Sequence, residues 1–190
     1  MTESDEQLMA AVAAGDREAF GALYRRRRPD VYRFALHMTG AAAAADDVAQ
    51  DVFLAVIQEA GRYSPARAAV LPWLLGIARN QARRRLSERR CEPLPDAGTE
   101  PAVHADPADG MTRTRQTEAL RRALVALPVA YREAVILCDL QELSYREAAD
   151  AADCAIGTVR SRLHRGRQML AAVMRGERHA FRGWPAPEWL

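Results

Sequence analysis

Three groups of side chains in this sequence could do recognition chemistry. The first is Arg160, Arg162, His164, Arg165, Arg167 and Arg175, with no acidic residue between Gly157 and Arg175. A guanidinium group can hold a phosphate or fork onto a guanine edge. The second is Arg79 to Arg90, which carries six arginines and one glutamate. Trp73, Asn80 and Arg84 fall near one line at helical spacing there, with Arg83 beside them. A tryptophan on a basic helix, next to a loop bearing Tyr63, suits contact with unstacked bases and backbone. The third is an acidic face, Asp47, Gln50, Asp51 and Leu54, which could dock a basic partner. Each group also has a plain alternative. The basic and acidic faces could simply be solvated, and Trp73 could be core.

Rigid helices must hold such groups. Ser144 with Glu147 three residues on forms a capping box that starts a short helix. Ala148, Ala149 and Ala152 give it a small, close-packing face. A second helix is expected from near Thr158, with Val159, Leu163, Gly166, Leu170 and Val173 as a narrow apolar stripe. The pair stands at helix-turn-helix spacing, which favours the DNA-facing reading.

The rest of the chain reads as further helices. Asp5 to Ala14 forms one, and Asp16 opens another that buries Phe20, Leu23 and Tyr24. Pro29 is placed as a first-turn proline of a new segment, in which Val31, Phe34, Ala35 and Met38 run to Gly40. Val48, Val52, Ala55 and Val56 make the inner stripe of the helix with the acidic face. Gly61 to Leu71 is a loop with Arg62, Tyr63 and Arg67, and Pro72 starts the basic helix, turning Leu74, Leu75 and Ala78 inward. Cys91 to Gly110 holds four prolines, two glycines and five acids, the composition of an extended linker. A helix resumes at Arg113 on a stripe of Leu120, Leu124 and Leu127. Pro128 begins the next, with Ala134, Val135, Leu137 and Cys138 as core, and Gln141 to Leu143 turns into the helix-turn-helix. The tail, Gly176 to Leu190, carries Trp184 and Trp189 but little helical pattern. The fold class is all-α.

Composition narrows the function. The chain has 190 residues and a net charge of only +2, so its basic groups are local rather than general. All 27 basic residues are arginine. No apolar run approaches the roughly 18 residues of a membrane span. The start lacks a signal-peptide pattern, so a cytoplasmic location without membrane insertion is expected. Cys91, Cys138 and Cys154 are too far apart for a paired zinc motif and read as reduced thiols. His37, His104, His164 and His179 are scattered, and no phosphate-cradling glycine loop or nucleophile motif appears. The expectation is a binding protein without cofactor or metal, not an enzyme.

Three blocks in order carry a resemblance: DDVAQDVFLAVIQ, then PWLLGIARNQARRR, then LPVAYREAVILCDLQELSYREAADAADCAIGTVRSRLHRGRQML. With the proline-rich acidic stretch between the second and third, the chain resembles the sigma-70 family of bacterial sigma factors, in its small two-domain extracytoplasmic-function group. The resemblance implies two helical domains joined by a flexible linker. Residues 1–90 would bind core RNA polymerase and recognise and melt the promoter minus-10 element. Residues 91–114 would be the linker, run through the RNA exit path. Residues 115–175 would read the minus-35 element, and 176–190 would be a tail. Asp47, Gln50, Asp51 and Leu54 would dock the polymerase. Arg62, Tyr63 and Arg67 would hold a flipped base, and Trp73, Asn80, Arg83 and Arg84 would contact DNA just upstream. Thr158, Arg160, Ser161, Arg162, His164, Arg165 and Arg167 would enter the minus-35 major groove. An anti-sigma factor is an implied partner. Two positions depart from the family pattern. Arg84 stands where an acid is common, and Asp153 stands where the helix-turn-helix turn often has glycine. The other reading of the residues is a helix-turn-helix regulator that works without being a polymerase subunit.

Overall fold

Ser4 and Asp16 start the first two helices by capping. The Ser4 hydroxyl accepts from the Gln7 N–H while the Gln7 side chain accepts from the Ser4 N–H, at 3.2 and 2.8 Å. One Asp16 carboxylate oxygen accepts from the N–H groups of Glu18 and Ala19. These caps open α1 (Asp5–Ala13) and α2 (Arg17–Thr39). In this computed structural model the described residues are 3–91 and 110–176. The further helices are α3 (Ala42–Glu59), α4 (Val70–Cys91), α5 (Gly110–Ala126), α6 (Val129–Val135), α7 (Tyr145–Ala152) and α8 (Ile156–Met174). No strand occurs among the described residues. The expected linker begins at Cys91 and runs to 114. Its two ends are helical, Cys91 closing α4 and 110–114 opening α5, while 92–109 and the tail with Trp184 and Trp189 lie outside the described residues.

Pro29 does not begin a segment. It lies inside α2, which runs unbroken for 23 residues. A mid-helix proline removes a backbone hydrogen bond and costs about 3 kcal/mol. Burial on both sides of it offsets that cost. Leu23 before it and Val31, Phe34, Ala35 and Met38 after it are fully buried in one core, and a buried side chain of this kind contributes about 1.5–3 kcal/mol. Asp5 adds a charged tie between α1 and α2, with Arg26 at 2.7 Å and Arg27 at 2.5 Å.

Helix starts differ from expectation in three further places. α4 begins at Val70, two residues before Pro72, which keeps Pro72 within the first turn. α5 begins at Gly110 rather than Arg113. α8 begins at Ile156, with Ala155 as an N-cap that has no side-chain acceptor, so Thr158 is not the cap. The buried face of α8 is also turned by about one residue. Val159, Leu163 and Gly166 are buried as expected, but Met169 and Ala172 take the deep positions while Leu170 and Val173 are half-buried. Likewise Phe53 is buried on α3 where Ala55 is only partly so, and Tyr24 on α2 and Cys138 after α6 are not buried.

A π-helical turn, Ile136–Leu140, follows α6 and leads to α7. It closes with Gln141 N–H donating to the Ile136 carbonyl at 2.9 Å and Leu143 N–H to Leu137 at 3.1 Å. α1 to α4 pack around one set of buried side chains, and α5 to α8 pack onto the same continuous core. α7 lies along α4, and α5 and α6 touch α2.

Candidate nucleic-acid interface

α7 and α8 form the expected helix-turn-helix. Ser144 caps α7 through its hydroxyl, which accepts from Glu147 N–H at 3.2 Å, and Glu147 accepts from Ser144 N–H at 2.9 Å. Asp153 ends α7 in the left-handed conformation, φ 48° and ψ 55°. Asp tolerates that region better than most residues, so the turn forms without glycine. Val159 and Leu163 then seat α8, and Arg160, Ser161, His164 and Arg165 face solvent. Arg160 and Arg165 have no ion-pair partner among the described residues, so both guanidinium groups are available to an anionic ligand.

The remaining expected groups on α8, apart from the Thr158 side chain, have contacts of their own. Thr158 and Arg162 are half-buried, and Arg162 lies 3.9 Å from the Cys154 sulfur. Ser161 donates to the Thr158 carbonyl at 3.0 Å. His164 Nε2 pairs with the Gln168 amide at 3.0 Å. Arg167 forks onto Asp139, with contacts of 3.0 and 2.6 Å. That hydrogen bonding raises its pKa further and fixes the guanidinium at the base of α8.

The second group gathers around the loop before α4. Arg62 and Arg67 are exposed. The Tyr63 hydroxyl donates to the Ala68 carbonyl at 3.0 Å, and its ring meets Trp73 edge-on with centroids 5.5 Å apart. Partial burial pushes the Tyr63 phenol up, with Glu6 and Asp5 adding to it, so the ring stays neutral. Trp73 is thus half-buried against Tyr63 rather than deep core. Asn80 and Arg84 are exposed. Arg84 is held only loosely, 3.6 Å from Glu88 on the same face. Arg83 is different: its guanidinium is bound by Glu133 of α6, through Nε and, at 3.2 Å, through Nη2. The structure therefore brings Tyr63 and Trp73 together, leaves Arg62 and Arg67 exposed in the same loop, and ties Arg83 to the other half of the chain.

On α3, Asp47, Gln50 and Leu54 are exposed and Asp51 is half-buried. The acidic face is not free. Arg85 of α4 reaches across to Asp47 at 3.0 Å and Asp51 at 2.6 Å. Beside it an open groove is lined by Phe20, Tyr24, Gln50, Phe53, Leu54 and Ile57. Leu54 is 48% exposed and Ile57 60%. Tyr24 and Phe53 stack edge-on at 4.8 Å beneath them. Sequence reasoning missed Ile57, Arg85 and Glu133. The spacing of Ile57 from Phe53 and Leu54 could have flagged it; the other two act through partners far away in sequence.

No group of three or more His, Cys, Asp or Glu side chains among the described residues is placed to hold a metal ion. No helix among them is long and apolar enough to cross a membrane.

The arrangement matches known proteins over most of its length. The family model for Sigma-70 region 2 matches residues 23–91, and that for Sigma-70, region 4 matches residues 117–170. The chain is 37% identical over 176 residues to the ECF RNA polymerase sigma factor SigE of Mycolicibacterium smegmatis, covering 88% of this chain and 68% of that protein. It is 38% identical over 173 residues to the ECF RNA polymerase sigma factor SigM of Mycobacterium tuberculosis, covering 90% and 85%. Among solved structures, it shares the fold of CnrH in complex with the cytosolic domain of CnrY, with a TM-score of 0.71 at 24% identity over 92% of this chain and 99% of that one. It shares it also with the sigma factor RpoE bound to the anti-sigma factor NepR from Bartonella quintana, with a TM-score of 0.65 at 24% identity over 84% and 98%.

Proposed function

This chain belongs to the sigma-70 family, in its extracytoplasmic-function group, and from that premise we propose how its surfaces divide the work of promoter-specific transcription initiation. Residues 1–90 bind core RNA polymerase and open the minus-10 element. Residues 115–175 read the minus-35 element, and residues 91–114 link the two. The observation that carries the DNA-reading half is the pair of guanidinium groups, Arg160 and Arg165, without an ion-pair partner among the described residues, on a helix seated by Val159 and Leu163. A match running over residues 23–91 as well favours this reading over a stand-alone helix-turn-helix regulator.

On this reading Arg160, Ser161, His164 and Arg165 face the major groove. Thr158 and Arg162 support them, and Arg167 braces α8 through Asp139. Arg62 and Arg67 flank a Tyr63–Trp73 surface on which an unstacked base rests. Asn80, Arg83 and Arg84 follow the phosphates upstream. Unstacking costs a few kcal/mol per step and is offset by these contacts, so the protein acts by binding rather than by catalysis. The polymerase docks on Leu54 and Ile57, with Asp47, Gln50 and Asp51 beside them supplying charge for a basic partner. The protein works in the cytoplasm, and an anti-sigma factor restrains it, as NepR binds RpoE.

A core-polymerase pull-down with promoter-directed run-off transcription tests the assignment. Charge reversal of Asp47 and Asp51 would also repel Arg85 and disturb the α3–α4 seam. Leu54→Glu with Ile57→Glu avoids this, because both side chains already face water. The wild type is expected to retain polymerase and start at defined promoters, and the double variant to lose both. A wild type that retains no polymerase would remove the proposal.

A further inference from the structure

Gln168 is not one of the residues that spacing in the sequence singles out. It shares the solvent face of α8 with Arg160, Ser161, His164 and Arg165. Side chains on a helix lean toward its N-terminus, so Gln168 lies back over the His164 ring. Its Nε2 stands 3.0 Å from His164 Nε2. A side-chain amide nitrogen donates and cannot accept. The ring nitrogen it meets must therefore accept, and in a neutral imidazole this leaves the one N–H on Nδ1. His164 Nδ1 has no hydrogen-bond partner among the described residues.

The ring is thus set by an amide rather than by a carboxylate. α8 carries no acid between Gly157 and Arg175, and Asp139, which reaches α8, is held by Arg167. A carboxylate at position 168 would accept from Nε2 and so favour the opposite tautomer. It would also set a negative charge against the phosphates of any bound duplex. A neutral amide orients the ring without that repulsion.

We propose that Gln168 is a positioning residue that holds His164 as a pure hydrogen-bond donor, so that the ring reads an acceptor edge at one minus-35 base and excludes cytosine. This rests on the major-groove reading of α8. Guanine shows N7 and O6 in that groove, adenine N7 and thymine O4, all of them acceptors. Cytosine shows only its N4 amino group, a donor. An Nδ1–H aimed at that amino group meets donor with donor, and both are left unpaired in a site closed to water. Place along the helix divides the work. Gln168 is about 6 Å further than His164 from the N-terminal end of α8, and recognition helices touch base edges with their N-terminal residues. His164 is therefore the nearer to the bases, and Gln168 acts through it. Both side chains are exposed in the free chain, where a pair four residues apart biases the ring only about twofold. A duplex that covers the pair excludes water and strengthens the bond.

The test reconstitutes polymerase holoenzyme with the full chain and selects promoters at about pH 8.5, where imidazoles are ordinarily neutral, from a pool randomised across the minus-35 element. The wild type should exclude cytosine at one position by about tenfold. His164→Ala should abolish that exclusion and so locate the position. Gln168→Ala should admit cytosine there and leave preferences at the other positions unchanged, because a freed ring can turn or change tautomer and offer a lone pair. Gln168→Glu should prefer cytosine at the same base, since its carboxylate accepts from Nε2–H and makes Nδ1 the acceptor. Nitrogen-15 spectra of the free chain, with the His164 signals identified by their loss in His164→Ala, should show the Nδ1–H form about twofold more populated in the wild type than in Gln168→Ala. A wild-type holoenzyme that tolerates cytosine at every position would overturn the proposal. So would a Gln168→Ala variant that excludes cytosine as strongly as the wild type or loses preference evenly at all positions, or a wild-type ring richer in the Nε2–H form than the variant. Failure to form any holoenzyme would instead remove the functional assignment, and the nitrogen-15 comparison would still decide whether Gln168 sets the ring.

Discussion

Gly166 of α8 and Tyr131 of α6 approach so closely that a Cβ on Gly166 would stand 2.9 Å from the Tyr131 carbonyl oxygen, and 2.7 Å from a Val135 methyl. The depth at which the recognition helix sits is therefore set by the absence of one methyl group. Because a backbone oxygen is in the way, the clash cannot be relieved by a side-chain rotation alone. Gly166→Ala is expected to cost about 1–3 kcal/mol as an overpacking change, despite alanine's better helix propensity. Urea unfolding should show a lower midpoint, and minus-35 duplex binding should weaken with it.

Asp153 allows a cleaner test of backbone conformation, since its φ of 48° lies where most side chains are strained. Asp153→Val should lose about 1–2 kcal/mol, and Asp153→Gly should be close to neutral or better. Unfolding midpoints of the two variants decide this. Equal stability for valine and aspartate would mean that the turn can relax.

Arg160 and Arg165 differ from Arg167 in having no ion-pair partner among the described residues to release. Arg160→Ala or Arg165→Ala should weaken promoter binding. If the lost contact is to phosphate, the salt slope should fall by about 1 for each, and if to a base, about 1–3 kcal/mol should be lost at one promoter position only. Arg167→Ala should act chiefly on stability, because it leaves Asp139 without its fork. Binding isotherms at several salt concentrations, beside unfolding curves, separate the two effects.

Burial pushes the Cys138 thiol up to about 11, with nearby Asp139 adding to the rise. The folded thiol is thus neutral at pH 7 and should alkylate far more slowly than in the unfolded chain. The unfolded thiol loses its proton near its ordinary value of 9.0 while the folded one keeps it. The contribution of Cys138 to stability is therefore full below pH 9 and is lost as pH rises from there toward 11. Alkylation followed by peptide mass spectrometry over that range checks the reactivity. Rapid labelling of Cys138 in the folded protein at pH 7 would contradict it.

What could be read directly from the chain depended on neighbours within four residues. The capping box of Ser144 and Glu147, the Asp16 cap, the left-handed Asp153 and the acid-free face of α8 are all local, because helix geometry brings residues three and four apart onto one face. The ordered motif blocks then pointed to the family. Two local signals misled. Pro29 reads as a helix start because proline favours that position, yet burial of Val31, Phe34 and Met38 carries α2 through it. The stripe of α8 reads as Leu170 and Val173, yet Met169 and Ala172 are buried because α5, α6 and α7 all pack on α8, a set of neighbours that one helix cannot encode by itself. Tertiary structure alone decided which charges are free. Arg83 and Glu133 are 50 residues apart in sequence, Arg85 and Asp47 are 38, and Arg167 and Asp139 are 28. A basic or acidic residue announces its charge in the sequence, but its partner is chosen only when packing brings side chains of distant helices into contact, as with Arg85 and Asp47 at 3.0 Å.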